Sequence, residues 1–147
     1  MISTDDIAAA FRTRWAAASL LSALVPAAAV YLGRAAEATA LPYARLLIDE
    51  GVLRWTSGRR YQKDFAVTVE VYTNDPAAAP AVRHAVDAAF GASVADPAGG
   101  LSLPAAGDYV THSLPAAGGG TAPANERRDG NDILRVTGKF AVLTEGQ

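Results

Sequence analysis

The chain has 147 residues, 13 basic against 15 acidic side chains, and a formal net charge of −2. That balance excludes a strongly basic, whole-surface nucleic-acid binder, and the absence of cysteine excludes disulfides, thiol catalysis and Cys-based metal centres. Half the residues are hydrophobic and 19% are charged, which predicts one globular domain over residues 1–147. Much of the apolar content is alanine. The core must therefore rest on Val, Leu and Ile together with Phe11, Phe65, Phe90, Phe140, Trp15 and Trp55, and assembly is a candidate source of further stability.

Ser3-Thr4-Asp5-Asp6 reads as a helix start, a capping hydroxyl followed by acids in the first turn. Ile7, Phe11, Trp15 and Ala18 then fall on one helical face. The stretch from Trp15 to Gly33 carries no charge, so a membrane span or a cleaved leader ending near Ala27-Ala28-Ala29 has to be weighed. Pro26 and the many alanines oppose a span, and Asp5 and Asp6 offset Arg12 and Arg14. Two short soluble helices are expected, the second from Ser19 to Val25. Val30-Tyr31-Leu32 reads as a short strand and Arg34 to Ala40 as a loop.

A long hairpin follows. Its first arm begins at Leu41-Pro42-Tyr43, its turn is Thr56-Ser57-Gly58, and its second arm runs from Phe65 to Thr73. Phe65, Val67, Val69 and Val71 alternate with Asp64, Thr68, Glu70 and Tyr72, the period of a half-buried strand. Arg54, Arg59, Arg60 and Lys63 lie near the turn with no acid between Gly51 and Lys63. They read as a solvated tip, or as a contact for an acidic partner or DNA backbone.

Pro80 opens a helix with a stripe at Val82, Ala85, Val86, Ala89 and Phe90, and Gly91 is its expected C-terminal cap. From Ala92 to Arg128 the chain is rich in Gly, Ala and Pro and is expected to be a flexible loop region, with strand-like content only from Asp108 to Leu114. Leu134, Val136, Phe140 and Val142 then alternate with Arg135, Thr137 and Lys139. Gly138 interrupts the apolar face and predicts a bulge or a close contact. The fold class is α+β: a single mostly antiparallel sheet of about four strands with a long hairpin, and helices packed on one face.

Chemistry-bearing motifs are thin. Gly91-Ala92-Ser93-Val94-Ala95 approaches a nucleophile elbow, but with a helix before the serine instead of a strand. His84, Asp87, His112 and Ser113 allow a triad only on paper. Asp129-Gly130-Asn131-Asp132 lacks the ligand alternation of a calcium loop and reads as a turn. Gly118-Gly119-Gly120 is followed by no lysine and hydroxyl pair, so it is no phosphate loop. Glu126, Arg127, Arg128, Asp129 and Asp132 read as a solvated charged stretch, or as a subunit contact. No catalytic, cofactor or metal site is expected.

Leu41-Pro42-Tyr43, Phe65 to Thr73, Val82 to Phe90 and Asn131 to Thr144 together resemble the tail-terminator (tail-completion, head–tail joining) proteins of long-tailed phages and phage-like particles. The stretch from Ala92 to Arg128 departs from the compact pattern. The resemblance implies a non-enzymatic, homo-oligomeric, hexameric ring at the neck of a virion. Such a ring caps the head-proximal end of the tail tube, meets the tail tube protein and the head–tail connector, and is assembled in the host cytoplasm. DNA would be met only by passage through the lumen, and no membrane would be involved. It further implies subunit or tail/connector contacts at Arg54, Trp55, Arg59 and Arg60, with Tyr72 and Arg135 on the exposed side of the sheet. The alternatives are a head–tail adaptor or other small oligomeric binding module, a hydrolase using Ser93 or the histidines, and a secreted or anchored protein.

Overall fold

The computed structural model describes residues 1–35, 39–128 and 130–147. Helix α1 spans Thr4–Ala17. Ser3 and Asp6 close a reciprocal cap: the Asp6 amide donates to the Ser3 hydroxyl at 3.3 Å, and the Ser3 amide donates to the Asp6 carboxylate at 2.8 Å. After a break at Ala18, α2 covers Ser19–Leu24 and stops before Pro26. Strand β1 is Val30–Leu32, β2 Tyr43–Ser57 and β3 Arg60–Thr73; α3 is Ala79–Phe90; β4, β5 and β6 are Tyr109–Pro115, Gly120–Arg128 and Asn131–Gly146. No helix among the described residues is long and apolar enough to cross a membrane. The expected loop at 34–40 falls partly outside the described residues, as does Asp129.

The strands form one sheet in the order β1-β2-β3-β6-β4, with β5 also pairing with β6. The α+β class holds. The expectation of about four mostly antiparallel strands is corrected to six in a mixed sheet, because β1 runs parallel to β2. Strand β4 matches the strand-like content expected from Asp108 to Leu114, whereas β5 comes from the stretch expected as a loop. Strand β5 is exposed at nearly every position, so no apolar alternation marks it. Its pairing rests on main-chain bonds to β6, and it breaks register between Pro123 and Arg127 around Asn125, whose φ is +58°.

The helices cover one face. Phe65, Val67, Val69 and Val71 of β3 oppose Val142, Phe140, Gly138 and Val136 of β6, and this strip is buried. Phe11 from α1 and Phe90 from α3 stack above it, with ring centroids 4.6 Å apart, and Phe140 closes edge-on to Phe90 at 5.8 Å. The Trp15 indole packs on Phe90 and donates to the Val25 carbonyl at 2.8 Å. The Arg14 guanidinium donates to the Ala89 carbonyl at 2.8 Å, tying α1 to the end of α3. Trp55, expected in the core, is 64% exposed.

Two glycines act by closeness. At Gly138 the β3–β6 register runs unbroken, so there is no bulge; a Cβ there would sit 2.9 Å from the Val86 methyl. Gly91 ends α3 in extended backbone (φ −69°, ψ 135°) and not in a left-handed cap, and a Cβ there would lie 2.5 Å from the Asp87 carbonyl oxygen. Gly138→Val should push α3 off the sheet and lower stability by about 1–3 kcal/mol. A chemical-denaturation midpoint equal to that of the parent would refute the tight contact.

Candidate functional site

The turn end of the hairpin is the most conspicuous surface of the molecule. Gly58, with φ +53°, makes the tight reversal between Ser57 and Arg60. Strand β2 is exposed at every position from Asp49 to Ser57. Strand β1 covers its outer edge only at Ala44 to Leu46. Beyond that, among the described residues, no strand pairs with that edge. It presents Val52, Leu53 and Trp55 at 54%, 38% and 64% exposure. An open strand edge carrying large apolar side chains is a template for another chain.

The charged residues near the turn behave differently from one another. Arg59 is exposed and makes no ion pair among the described residues. Arg54 makes a loose, exposed pair with Asp64 at 3.4 Å. Arg60 is held: its Nε donates to the Glu145 carboxylate at 2.6 Å, and its guanidinium lies 5.6 Å from the Tyr109 ring centroid. That guanidinium keeps the Glu145 carboxyl below the usual carboxylate range. Lys63 is no part of a solvated tip. It lies in register with Thr144 on the helix-facing side and is 7% exposed. Its Nζ donates to the Ile2 carbonyl at 3.0 Å and pairs with Glu50 at 3.2 Å. The Ile2 amide in turn donates to the Tyr61 hydroxyl at 2.7 Å, so the segment before α1 is pinned to the base of the hairpin.

Tyr72 and Arg135 share the sheet face away from the helices, in register with each other. The expectation that Tyr72 is exposed fails: only 8% of it is accessible. Its neighbour across β2, Tyr43, stacks on it at 4.8 Å, and the Arg45 guanidinium lies 5.6 Å from its ring centroid. Its hydroxyl donates to Glu70 at 2.6 Å, and Glu70 also accepts from Arg45 at 2.7 Å. Arg135 is half-buried beside this group. The sequence carried one signal for the cluster: Tyr43, Arg45, Glu70 and Tyr72 all sit at outward positions of two paired strands.

This network fixes a pH response. Burial alone would raise the Glu70 carboxyl; hydrogen bonds from Tyr72 and Arg45, with the charges of Arg45 and Arg135, outweigh it and hold the group below its ordinary value. Burial and then the Glu70 bond push the Tyr72 phenol up to about 12. A depressed carboxylate contributes stability that is present above its unfolded pKa, about 4.3, and lost as pH falls through the folded value. The raised phenol contributes stability present below about 10 and lost as pH climbs toward its folded value. Glu70→Gln should cost about 1–3 kcal/mol near neutrality and flatten the acid side of a stability–pH profile. Parallel acid limbs for parent and variant would disprove the assignment.

The triad drawn on paper is not assembled. Asp87 pairs with Arg83 at 3.0 Å. Ser93 sits in a turn, its hydroxyl accepting from the Asp96 amide at 3.0 Å. Ser113 is buried, donating to the Phe90 carbonyl at 2.8 Å. Among the described residues, no hydrogen bond joins a serine to His84 or His112, and no group of three or more His or acidic side chains is placed to hold a metal ion. The charged stretch of β5 is internally paired, Arg127 with Asp132 and Arg128 with Glu126, while Arg128 also donates to the Thr39 carbonyl.

No protein-family model matches the chain, and no curated protein does. Seven chains of solved structures match it. One belongs to the virion of a native gene transfer agent particle: it is 21% identical, with a TM-score of 0.68, and the match covers 98% of this chain and 100% of that one. A second is 22% identical with a TM-score of 0.50, covering 97% of this chain and 96% of the other. At these identities the likeness is one of fold.

Proposed function

We propose that this chain is a structural protein of a phage-like particle that forms a homo-oligomeric ring, caps the head-proximal end of the tail tube and joins it to the head connector. The observation that carries the reading is the fold shared over nearly the whole of both chains with a component of a gene transfer agent virion. The short motifs at Leu41-Pro42-Tyr43, Phe65 to Thr73, Val82 to Phe90 and Asn131 to Thr144 favour the tail terminator within that class. The site chemistry agrees with a binding role: the conspicuous surface is an open strand edge with apolar and basic side chains, and among the described residues the candidate nucleophiles have no base bonded to them. The ring's partners are then its own copies, the tail tube and the connector, and its place is the neck of the particle.

Ring closure requires one patch to meet a different patch on the next copy through a closing rotation. The two sides of the sheet offer unlike edges for it. Strand β5 is blunted by Pro123 and by the irregularity around Asn125, whereas among the described residues β2 lies open from Leu47 to Ser57. The test is solution mass by light scattering behind size exclusion, with negative-stain images of the same peak and labelling of intact particles. A closed ring of about six copies, with label at the neck, is the expected result. A monomer that also fails to join purified tail tubes, or label confined to the head, would overturn the reading.

A further inference from the structure

The two edges of the sheet differ in what they leave unpaired. At the far edge, the Ala92 amide donates to the Ser113 carbonyl of β4 and the Ser113 amide donates to the Pro97 carbonyl, both at 2.9 Å. A loop thus caps the middle of β4, and Pro115 at its end has no N–H to offer. At the near edge, β1 stops at Leu32, and among the described residues no strand covers the outer side of β2 from Leu47 to Ser57. The Gly33 amide donates to the Leu46 carbonyl at 2.9 Å. The main-chain groups of Leu46 therefore point outward, and by alternation so do those of Ile48 and Glu50. A bulge follows: β2 takes three steps from Glu50 to Leu53 while β3 takes two from Phe65 to Lys63. The phase changes there, so beyond it Leu53 and Trp55 point their main-chain groups outward.

We infer that copies of this chain outside a ring join in twos, β2 against β2, antiparallel about a two-fold axis between Gly51 and Val52. An antiparallel ladder bonds residues whose main-chain groups both point at the partner. The bulge leaves one register that does so for all four outward residues: Ile48 opposite Trp55, and Glu50 opposite Leu53. That register sets Asp49 opposite Arg54, twice by symmetry. Both side chains lie on the face away from the helices, in register with Ala66 and Gln62 of β3, and a two-fold axis normal to the sheet keeps them on one side. Asp49 is exposed and has no ion pair among the described residues, and Arg54 has only its loose contact with Asp64 at 3.4 Å. Ile48 and Trp55 share the other face, in register with Val67 and Tyr61, so apolar meets apolar there. Charge and main-chain phase thus select the same occupant, a second β2, with main-chain hydrogen bonds supplying affinity. A two-fold contact joins copies in twos and closes no ring. The pair is therefore a form of the free chain that gives up its edge when a ring is built, and the inference does not depend on the ring reading.

The test swaps these charges in the full protein at low ionic strength, with the mass of each species followed by light scattering over a dilution series. The parent is expected to show a two-copy species. Asp49→Arg alone and Arg54→Asp alone each set like charges together at both symmetric sites, and each should weaken pairing on the order of tenfold. An equimolar mixture of the two variants restores both opposite-charge pairs, and so does Asp49→Arg/Arg54→Asp in one chain. Both should regain the parental pairing, with melting temperatures unchanged throughout. A mixture that pairs no better than its components would overturn the inference. So would single copies that pass directly into rings with no two-copy species between, a result that leaves the ring reading standing. A two-copy species with no ring, alone or on tail tubes, would uphold the pairing and remove the ring reading.

Discussion

Phe90→Ala is expected to cost about 3–5 kcal/mol, a large share of the 5–15 kcal/mol typical of a whole domain. Phe90 is fully buried, and its ring meets Phe11, Trp15 and Phe140 at centroid distances of 4.6, 5.9 and 5.8 Å. Phe11 and Trp15 come from α1 and Phe140 from β6, so this α3 side chain joins both long helices to the sheet. Alanine in the neighbouring positions, Ala85 and Ala89 among them, leaves little nearby bulk to collapse into the cavity. A fall in melting temperature on the order of 10–20 °C is expected, measured by far-UV circular dichroism. His84→Ala, exposed on the same helix, should leave it nearly unchanged. Equal melting of the Phe90 variant and the parent would mean that the ring cluster is not the hub of the core.

The second large effect is functional. A Trp55→Asp/Arg59→Glu variant should keep its stability within about 0.5 kcal/mol, because both side chains are exposed and Arg59 has no ion pair among the described residues. Assembly should suffer heavily. Trp and Arg anchors at interfaces are typically worth about 2 kcal/mol or more each, and every 1.4 kcal/mol is about tenfold in affinity. Particle yield is expected to drop on the order of 10²-fold or more by the same conversion, and quantitative counting of intact particles would measure it. Normal yield from a folded variant would sink the placement of the contact. Arg60→Glu is a poorer probe. It would set two carboxylates together at Glu145 and disturb the β3–β6 pairing, confusing instability with lost contact.

The legible parts of the fold are those where a covered face left a period. Helix α3 and strands β3 and β6 are half in and half out, so Val82 to Phe90, Phe65 to Val71 and Val136 to Val142 announce themselves. Strand β5 has both faces in solvent, and its pairing is main-chain, which Gly, Ala and Pro do not advertise. Lys63 was readable in principle. Counting back by twos from Phe65 puts it and Tyr61 on the buried face, but its charge and the nearby arginines suggested solvent. Tyr72 was not readable in isolation, because its burial comes from Tyr43, 29 positions earlier, through a register that only the folded sheet fixes. At the candidate surface, Arg54, Trp55 and Arg59 stand exposed near the hairpin turn, while Arg60 is paired with Glu145 and Lys63 is buried against Ile2.

The two tryptophans occupy opposite environments, Trp15 with no accessible surface and Trp55 with 64%. Their intrinsic fluorescence therefore separates two events that most probes merge. Loss of the native core shifts Trp15 emission to the red, whereas covering the hairpin shifts Trp55 to the blue and shields it from an aqueous quencher such as iodide. A single unlabelled sample thus reports unfolding and assembly as signals of opposite sign.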